Sequence, residues 1–420
     1  ILACSNSQDI AEVSPIAYDT DSVDNPSVPL ADEEQLVNDT VQKITPIAYL
    51  PLNDTEYPYA GIPRIVIETE KHRQILDRET EIPAKLQVWG ENAPESEILD
   101  LTIRGRGNST WNAPKKPYTI TFETKQAFLG MNKAKKWVLL ANYFDRTLIR
   151  NAVAFEIARK TQLEWTPSGK FVEIYLNRKF LGNYYVCEKI QIKENRLNIS
   201  KNAYLLEFDS HYDEEYKFKS SIRELPINIK NPEIPSEDQQ KYIQDYIDTV
   251  EKILYANNDS LLIEDYLDLQ SFADYLIVYE LTQNNEPVHP KSAFMYKDEG
   301  KLKAGPVWDF DWGTFNKNKK GMCNQKALWI QKMLLNENFK NILKNNWNQY
   351  KKDFSQIPNF IDSLATYIKI SNNRNINLWP IETNAKSIID KDKSFDESIF
   401  MMRKVFSNRI SELDSIFNNP

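Results

Sequence analysis

Two aspartates lie two residues apart in "GPVWDFDWGTF", residues 305–315, and aromatic residues flank each of them. If this segment is a strand, its side chains alternate between two faces, so Asp309 and Asp311 share one face about 6–7 Å apart. The aromatic residues between and around them then anchor the other face. Neighbouring carboxylates repel each other unless a cation lies between them or one keeps its proton. The pair predicts a site for a hard cation such as Mg²⁺, and the alternative is a buried strand whose aspartates accept backbone hydrogen bonds.

A second polar cluster lies in "RGRGNSTW", residues 104–111, where Gly105 and Gly107 predict a tight turn after a strand. Backbone N–H groups, hydroxyls and cations that converge on one point are what a polyphosphate requires. The side chains that could supply such donors are Arg104, Arg106, Asn108, Ser109, Lys115 and Lys116. The cluster therefore predicts phosphate binding, although two glycines in a simple turn would satisfy the same spacing.

The other residue types that commonly do chemistry form no recognisable site. The three cysteines are too few for a disulfide framework, and the three histidines lie in no cluster with zinc-ligand spacing. His72 and His211 are distant in sequence from both polar clusters. The net charge of −8 argues against general binding to nucleic acid, which requires clustered Lys and Arg.

The elements that must position these clusters divide the chain into a sheet-rich part and a helical part. Period-two patterns predict several strands before residue 200, crossed by one helix that opens at Asp145. From Ser236 onward, apolar residues recur every three or four positions and predict helices. A hairpin at residues 293–312 is predicted at the junction, with both aspartates in its second strand. The predicted fold class is α+β.

The first residues have the character of an exported tether. "ILAC", residues 1–4, resembles the end of a bacterial lipoprotein signal, in which the cysteine becomes lipidated. Residues 5–44 are acidic, rich in Ser, Asn and Pro, and poor in large apolar residues, so they cannot bury enough surface to order themselves. We therefore expect a lipid-anchored lipoprotein of the cell envelope, held at a membrane through Cys4.

Five motifs in order resemble the spore coat protein H (CotH) kinase-like family. They are "RGRGNSTW", "KKPY", "DRTLIRN", "VEIYLNRKFLGNYYVCEKI" and "GPVWDFDWGTF", and they cover about residues 100–316. The resemblance implies an atypical protein-kinase-like fold with a sheet-rich N-lobe and a helical C-lobe. It also implies ATP and Mg²⁺ or Mn²⁺ in the cleft, and transfer of the γ-phosphate to a Ser or Thr hydroxyl of a secreted or surface protein.

Four segments follow from the patterns and the resemblance together. Residues 1–44 are the lipoprotein box and the disordered acidic tether, and residues 45–100 are an N-terminal β-rich extension. Residues 101–230 are the sheet-rich nucleotide-binding lobe. Residues 231–420 are the helical lobe with the metal-binding hairpin.

The resemblance also implies roles for individual residues. The residues that would contact ATP are Arg106, Asn108, Ser109, Lys116 and Glu188. Asp309 would bind the metal and act in catalysis, as the aspartate of a kinase DFG motif does, and Asp311 would assist it.

The catalytic base is less clearly matched. The family commonly places an aspartate in the loop after the second-lobe helix, and here that loop is "QNNEPVHPKSAFMY". Glu286 is its nearest carboxylate and the predicted base. The other polar candidates in the loop are Asn284, Asn285, His289 and Ser292. Positioning and charge neutralisation dominate phosphoryl transfer, so a displaced base need not abolish it.

Two other functions fit parts of the pattern. The first is an inactive kinase-like binding protein or adhesin of the cell surface, built on the same scaffold. The second is a glycoside hydrolase or glycan binder, suggested by the paired acids and nine tryptophans. The strand separation of the acids does not decide this point, because retaining glycosidases need roughly 5 Å and inverting enzymes need more.

Overall fold

The sheet-rich part of the chain is a closed barrel of seven strands. A computed structural model describes residues 57–255, 263–298, 300–315, 320–380 and 388–418. The barrel strands are β1 (Arg64–Thr69), β2 (Ile82–Trp89), β3 (Leu99–Gly105), β4 (Tyr118–Phe128), β5 (Met131–Leu140), β6 (Gly169–Leu176) and β7 (Lys179–Glu188). Their order is β1-β2-β3-β4-β5-β7-β6, and parallel pairing of β1 with β6 closes the barrel. The other neighbours are antiparallel.

Alternating apolar side chains fill the barrel. On β4, Tyr118, Ile120 and Phe122 are all buried in this interior, as the period-two pattern predicts. Trp137 of β5 is fully buried among them. The interior is therefore packed with side chains, and any ligand has to bind at an end of the barrel or outside it.

A second sheet has five antiparallel strands in the order β12-β11-β8-β10-β9. These strands are β8 (Tyr204–Phe208), β9 (Lys217–Lys219), β10 (Pro226–Asn231), β11 (Ala293–Lys297) and β12 (Leu302–Ala304). The hairpin predicted at 293–312 therefore exists, but its second strand ends at Ala304. The prediction that Asp309 and Asp311 lie in a strand is wrong, because the backbone from Gly305 onward leaves the sheet.

Helices form most of the second half. They are α1 (Ser109–Asn112), α2 (Arg150–Arg159), α3 (Glu237–Tyr255), α4 (Ile263–Tyr266), α5 (Leu269–Thr282), α6 (Ile330–Met333), α7 (Glu337–Phe354), α8 (Ile357–Leu378) and α9 (Phe395–Asn418). Two 3-10 helices span Glu70–His72 and Glu286–Val288. Helix α5 is buried along almost its whole length and packs against α2, α7 and α9. The loop that follows α5 carries Asn284, which holds the segment at Asp309.

The predicted segments and the two sheets divide the chain at different residues. The boundary at residue 100 falls inside β3, so the described part of the 45–100 segment supplies barrel strands and is not an extension outside the barrel. Strands β8 to β10 pair with the hairpin strands, so the 101–230 segment contributes to both sheets. The lipoprotein box and the acidic tether lie outside the described residues. In the part of the chain that the structure describes, no helix combines the length and hydrophobicity needed to cross a bilayer.

Candidate functional site

A cavity of about 1060 Å³ is lined by residues of both sheets. The barrel contributes the turn after β3, including Arg106, Asn108 and Ser109. The second sheet contributes residues around β8, β10 and β11, and the segment after β12 contributes Asp309 and Asp311. The two polar clusters, about 200 residues apart in the sequence, therefore line one cavity. A nucleoside triphosphate is within the size range of ligands that such a volume accepts.

The segment that carries the two aspartates is held by buried asparagines. Asn284, just after α5, donates from its Nδ2 to the carbonyl oxygen of Asp309 at 2.9 Å. Asn151 of α2 accepts from the N–H of Phe310 at 2.8 Å. Asp309 itself has a φ of +65°, in the left-handed region that side chains other than glycine rarely adopt. Both carboxylates therefore line the cavity because of a local turn, and not because of strand alternation.

The aromatic residues around the pair do not share one face. Phe310 is fully buried between Phe155 and Tyr279, whereas Trp312 is 43% exposed. Trp308 is half-buried and lines the cavity. The prediction that these aromatic residues anchor a common opposite face is wrong, since the segment has no period-two geometry.

Burial favours the protonated form of both carboxyl groups. Burial raises the pKa of Asp309, although the hydrogen bond with Asp311 and the nearby Arg106 guanidinium act in the opposite direction. Burial, and then the negative charge of Asp309, raise the pKa of Asp311 well above its ordinary range. Such a pair loses its proton when a cation takes its place. The donor set therefore suits a hard divalent cation.

The protein would supply only part of a metal coordination shell here. Within the described residues, no three His, Cys, Asp or Glu side chains are grouped as ligands for one ion. Mg²⁺ typically binds one or two protein carboxylates and takes waters and phosphate oxygens as its other ligands. Two carboxylates in a cavity of this size fit that pattern better than they fit a site made entirely of protein ligands.

The turn after β3 needs its second glycine. Gly107 has a φ of +85°, and a Cβ there would lie 2.1 Å from the Thr110 hydroxyl oxygen. Arg78 holds the turn by donating from Nη1 to the carbonyl oxygen of Gly107 at 2.9 Å and to Oδ1 of Asn108 at 2.6 Å. The Nδ2 of Asn108 in turn donates to Asp213, in the loop after β8, at 3.2 Å. The turn therefore meets the second sheet at the rim of the cavity.

Arg106 is a cation of this turn whose charge acts on both aspartates. Its guanidinium lies 5.8 Å from the centre of the Trp308 ring. Burial lowers the pKa of Arg106, and the charges of Asp309 and Asp311 partly oppose that effect. The guanidinium therefore lies on the cavity wall, close enough to the acid pair to act on its charge.

The lysines are placed differently from the prediction. Lys116 does not line the cavity, because its Nζ donates to the carbonyl oxygen of Trp111 at 2.6 Å and lies over that ring. Lys115 does line the cavity, but its Nζ is fully buried and donates to the carbonyl oxygens of Ala141 and Asn183. Both residues precede β4, so strand alternation does not govern their direction.

Lys189 is a cavity residue that sequence reasoning missed. It follows β7 directly and lines the cavity. Burial and the nearby cations Lys136, Arg106 and Lys230 lower the pKa of Lys189 to about 8. Cations gathered in this way repel each other unless an anion lies among them. The signal in the sequence for this residue was its position directly after Glu188, at the end of a predicted strand.

Glu188 has a different environment from the predicted one. Its carboxylate accepts from the backbone N–H of Ser168 at 2.9 Å and forms a buried ion pair with Arg196. Arg196 in turn lies over the Trp137 ring. Glu188 is absent from the cavity wall and braces the end of β7, so a direct contact with a nucleotide is not what the geometry favours.

Glu286, the predicted base, lies behind the acid pair. It begins the 3-10 helix after α5, and its Oε2 is buried without a hydrogen-bond partner. Burial, and then the charges of Asp309 and Asp311, raise the pKa of Glu286 to about 10. Its side chain is not part of the cavity wall. The remaining loop histidine, His289, is exposed and also lies outside the wall.

Comparison with known families adds one match. A family model described as CotH kinase protein matches residues 103–413. The matched range begins in β3 and ends in α9, so it contains the cavity, the turn after β3 and the acid pair. No curated protein matches the chain.

Proposed function

The chain belongs to the CotH kinase protein family, and from that premise we propose that it transfers the γ-phosphate of ATP to a Ser or Thr hydroxyl of a secreted or surface protein. The observation that carries the proposal is the single cavity that joins the turn after β3 to the acid pair. The barrel and the helical part would then correspond to the two lobes of a kinase. Positioning and charge neutralisation are the main requirements of this reaction, and the cavity offers groups for both.

The cavity wall contains apolar, cationic and acidic side chains. Ile190, Ile192, Leu205 and Phe294 offer apolar surface for a purine ring. Arg106, Lys189 and the donors of the turn after β3 offer positive charge and N–H groups for phosphate oxygens. The combination of apolar residues, cations and a pair of carboxylates for a metal ion suits a nucleoside triphosphate better than a sugar, so we rank a glycoside hydrolase below a phosphotransferase.

Asp309 and Asp311 would hold the divalent cation. Bound there, Mg²⁺ or Mn²⁺ supplies positive charge that offsets the negative charge of the transferring phosphate group. The chain's own part is to fix the two carboxylates through Asn284 and Asn151, and to place Arg106 beside them.

Replacing Lys189 by methionine should weaken ATP binding about 10–100-fold, the typical effect of losing one charge-assisted hydrogen bond. Wild-type affinity should also fall as the pH rises through about 8, where Lys189 loses its proton, and K189M should lack that dependence. Isothermal titration with ATP and Mg²⁺ measures both effects. The matched variant K116M should bind normally, since Lys116 points away from the cavity. Normal ATP binding by K189M together with weakened binding by K116M would show that the phosphates lie elsewhere.

The location of the protein is part of the proposal. Lipidation at Cys4 would anchor it in the cell envelope and give it access to secreted or surface substrates. Metabolic labelling with a fatty-acid analogue tests this point, since labelling should occur in the wild type and be lost in Cys4→Ala.

A second candidate function is a binding protein that holds a nucleotide without transferring phosphate. The burial of Glu286 and the absence of an aspartate in the 284–292 loop favour it. Thermal-shift measurement with ATP, with and without Mg²⁺, combined with transfer from labelled ATP, separates the candidates. Binding with transfer supports the kinase, binding without transfer supports the second candidate, and no binding contradicts both.

A further inference from the structure

The loop after β8 places an oriented imidazole on the cavity wall. Oδ1 of Asp209 accepts from the backbone N–H of His211 at 2.7 Å and lies 2.7 Å from Nδ1 of the same ring. Because a carboxylate only accepts, this contact places the ring proton on Nδ1 and leaves the lone pair on Nε2. His211 lines the cavity, and its side chain is 36% exposed. The imidazole is therefore fixed in direction and accessible to a ligand.

The same carboxylate connects the loop to the acid pair. Oδ2 of Asp209 accepts from the backbone N–H of Ser292 at 3.2 Å. The hydroxyl oxygen of Ser292 lies 3.5 Å from Oδ2 of Asp309. The N–H of Ser210 donates to the carbonyl oxygen of Pro290 at 2.6 Å and fixes the loop from the other side. One intervening residue, Ser292, thus links the Asp209–His211 pair to the predicted metal ligand.

We propose that His211 is the general base that accepts the proton of the acceptor hydroxyl, with Asp209 as the positioning residue. This inference rests on the proposed phosphotransferase function. In the step, the hydroxyl O–H bond breaks and its proton goes to Nε2 of His211. The hydroxyl oxygen forms a bond to the γ-phosphorus of the nucleoside triphosphate. The bond from that phosphorus to the bridging oxygen breaks, and its electron pair leaves with the nucleoside diphosphate.

Geometry distinguishes His211 from the carboxyl predicted for this role. Glu286 is not part of the cavity wall, whereas His211 is, and a base must lie within hydrogen-bond reach of the proton it accepts. His211 also has the third group that orients a base, namely Asp209. Nothing in the sequence favoured the choice of His211, because it is distant in sequence from both polar clusters.

The charges near His211 come from several elements. The charged groups that line the cavity with it are Asp209, Asp213 and Glu214 of its own loop, Glu207 of β8, Lys230 of β10, Glu233 after β10, Asp309 and Asp311 after β12, Lys189 and Lys193 after β7, and Arg78, Glu79, Glu81, Arg104, Arg106 and Lys115 of the barrel side. Lys230 is paired with Glu207 and Glu214, so its one positive charge offsets part of the two negative charges. A protonated imidazole cannot accept a proton, so the transfer rate should fall at low pH.

The test compares His211→Gln with wild type and with a matched control, His72→Gln. His72 lies in the Glu70–His72 helix, 50% exposed and away from the cavity wall. We expect H211Q to bind ATP with Mg²⁺ as wild type does, while its transfer rate falls about 100-fold and loses the decline toward low pH. H72Q should match wild type in every measurement. An H211Q variant that keeps the wild-type rate and pH profile overturns the proposal.

Two further measurements test the role of His211 separately from the proposed phosphotransferase function. Long-range ¹H–¹⁵N spectra of His211 should show the proton on Nδ1 in wild type and a loss of that preference in Asp209→Asn. A proton on Nε2 overturns the proposal without any assay of activity. If Glu286→Gln loses the rate and the low-pH decline while H211Q keeps both, then Glu286 is the base. A wild type that binds ATP but transfers no phosphate overturns the catalytic role of His211 and leaves nucleotide binding intact.

Discussion

Asp309→Asn should abolish the stabilisation that ATP gives in the presence of Mg²⁺, and phosphate transfer with it. The substitution keeps the shape of the side chain and removes the charge that a hard cation requires. The backbone contacts with Asn284 and Asn151 do not involve the carboxylate, so the fold should persist. Thermal shift with ATP, Mg²⁺ or both measures the effect. The control Asp245→Asn removes an exposed carboxylate of α3 and should respond as wild type does. Full Mg²⁺-ATP binding by D309N would show that the cation lies elsewhere.

In the metal-free protein, removing the charge of Asp311 should stabilise the fold. Burial and the charge of Asp309 raise the pKa of Asp311 above its ordinary value of 3.8. The folded protein therefore keeps the proton of Asp311 at pH values at which the unfolded chain has released it. The contribution of Asp311 to the free energy of unfolding is therefore fully present below pH 3.8 and is lost as the pH rises toward the raised pKa of the folded state. Asp311→Asn should melt a few degrees above wild type at about pH 8 in chelator, and together with it near pH 4. Equal melting temperatures throughout would show that the pair is not buried as the structure has it.

Arg409→Ala should lower the free energy of unfolding by about 3–5 kcal/mol, the typical cost of leaving a buried charge without its partner. Arg409 of α9 and Glu280 of α5 form an ion pair with both side chains fully buried. Arg409 also donates to the carbonyl oxygens of Glu280 and Gly321. The loss approaches the whole stability of many domains, so the variant should unfold near physiological temperature. Urea unfolding measures it.

A second arginine of α9 provides the matched control for this stability prediction. Arg403 pairs with Asp362 of α8 at 3.3 Å, but both side chains are more than 40% exposed. Arg403→Ala should therefore cost less than about 1 kcal/mol. If the two alanine variants unfold at the same urea concentration, then burial does not determine the contribution of the Arg409 pair.

Local signals in the sequence predicted several elements well. Asn177 and Arg178 both have positive φ in the turn between β6 and β7, as a two-residue hairpin requires. Ser236 and Gln239 exchange the two hydrogen bonds of a capping box before α3. The sequence of α5 is mostly apolar, and the helix is buried along almost its whole length. In each case the residues that determine the structure are neighbours in the sequence.

The parts that the sequence could not predict depend on distant contacts. The backbone turn at Asp309 is held by Asn284 and Asn151, which no pattern around residue 309 reveals. The barrel closes through β1 and β6, strands separated by about 100 residues, so the early strands could be mistaken for an extension. Asp209 orients His211 locally, but only the pairing of β8 with β11 brings both residues to the acid pair.

The contact between Asn108 and Asp213 at the cavity rim has a kinetic consequence. It joins the turn after β3 to the loop after β8 through exposed side chains. A molecule that passed between the turn and the loop would have to part them, and they could meet again behind it. Because this hydrogen bond is intact both before and after the ligand passes, it affects the activation free energy for binding and release and not the free energy of binding. Severing it should therefore speed arrival and departure alike, so that residence time shortens while the dissociation constant stays nearly the same.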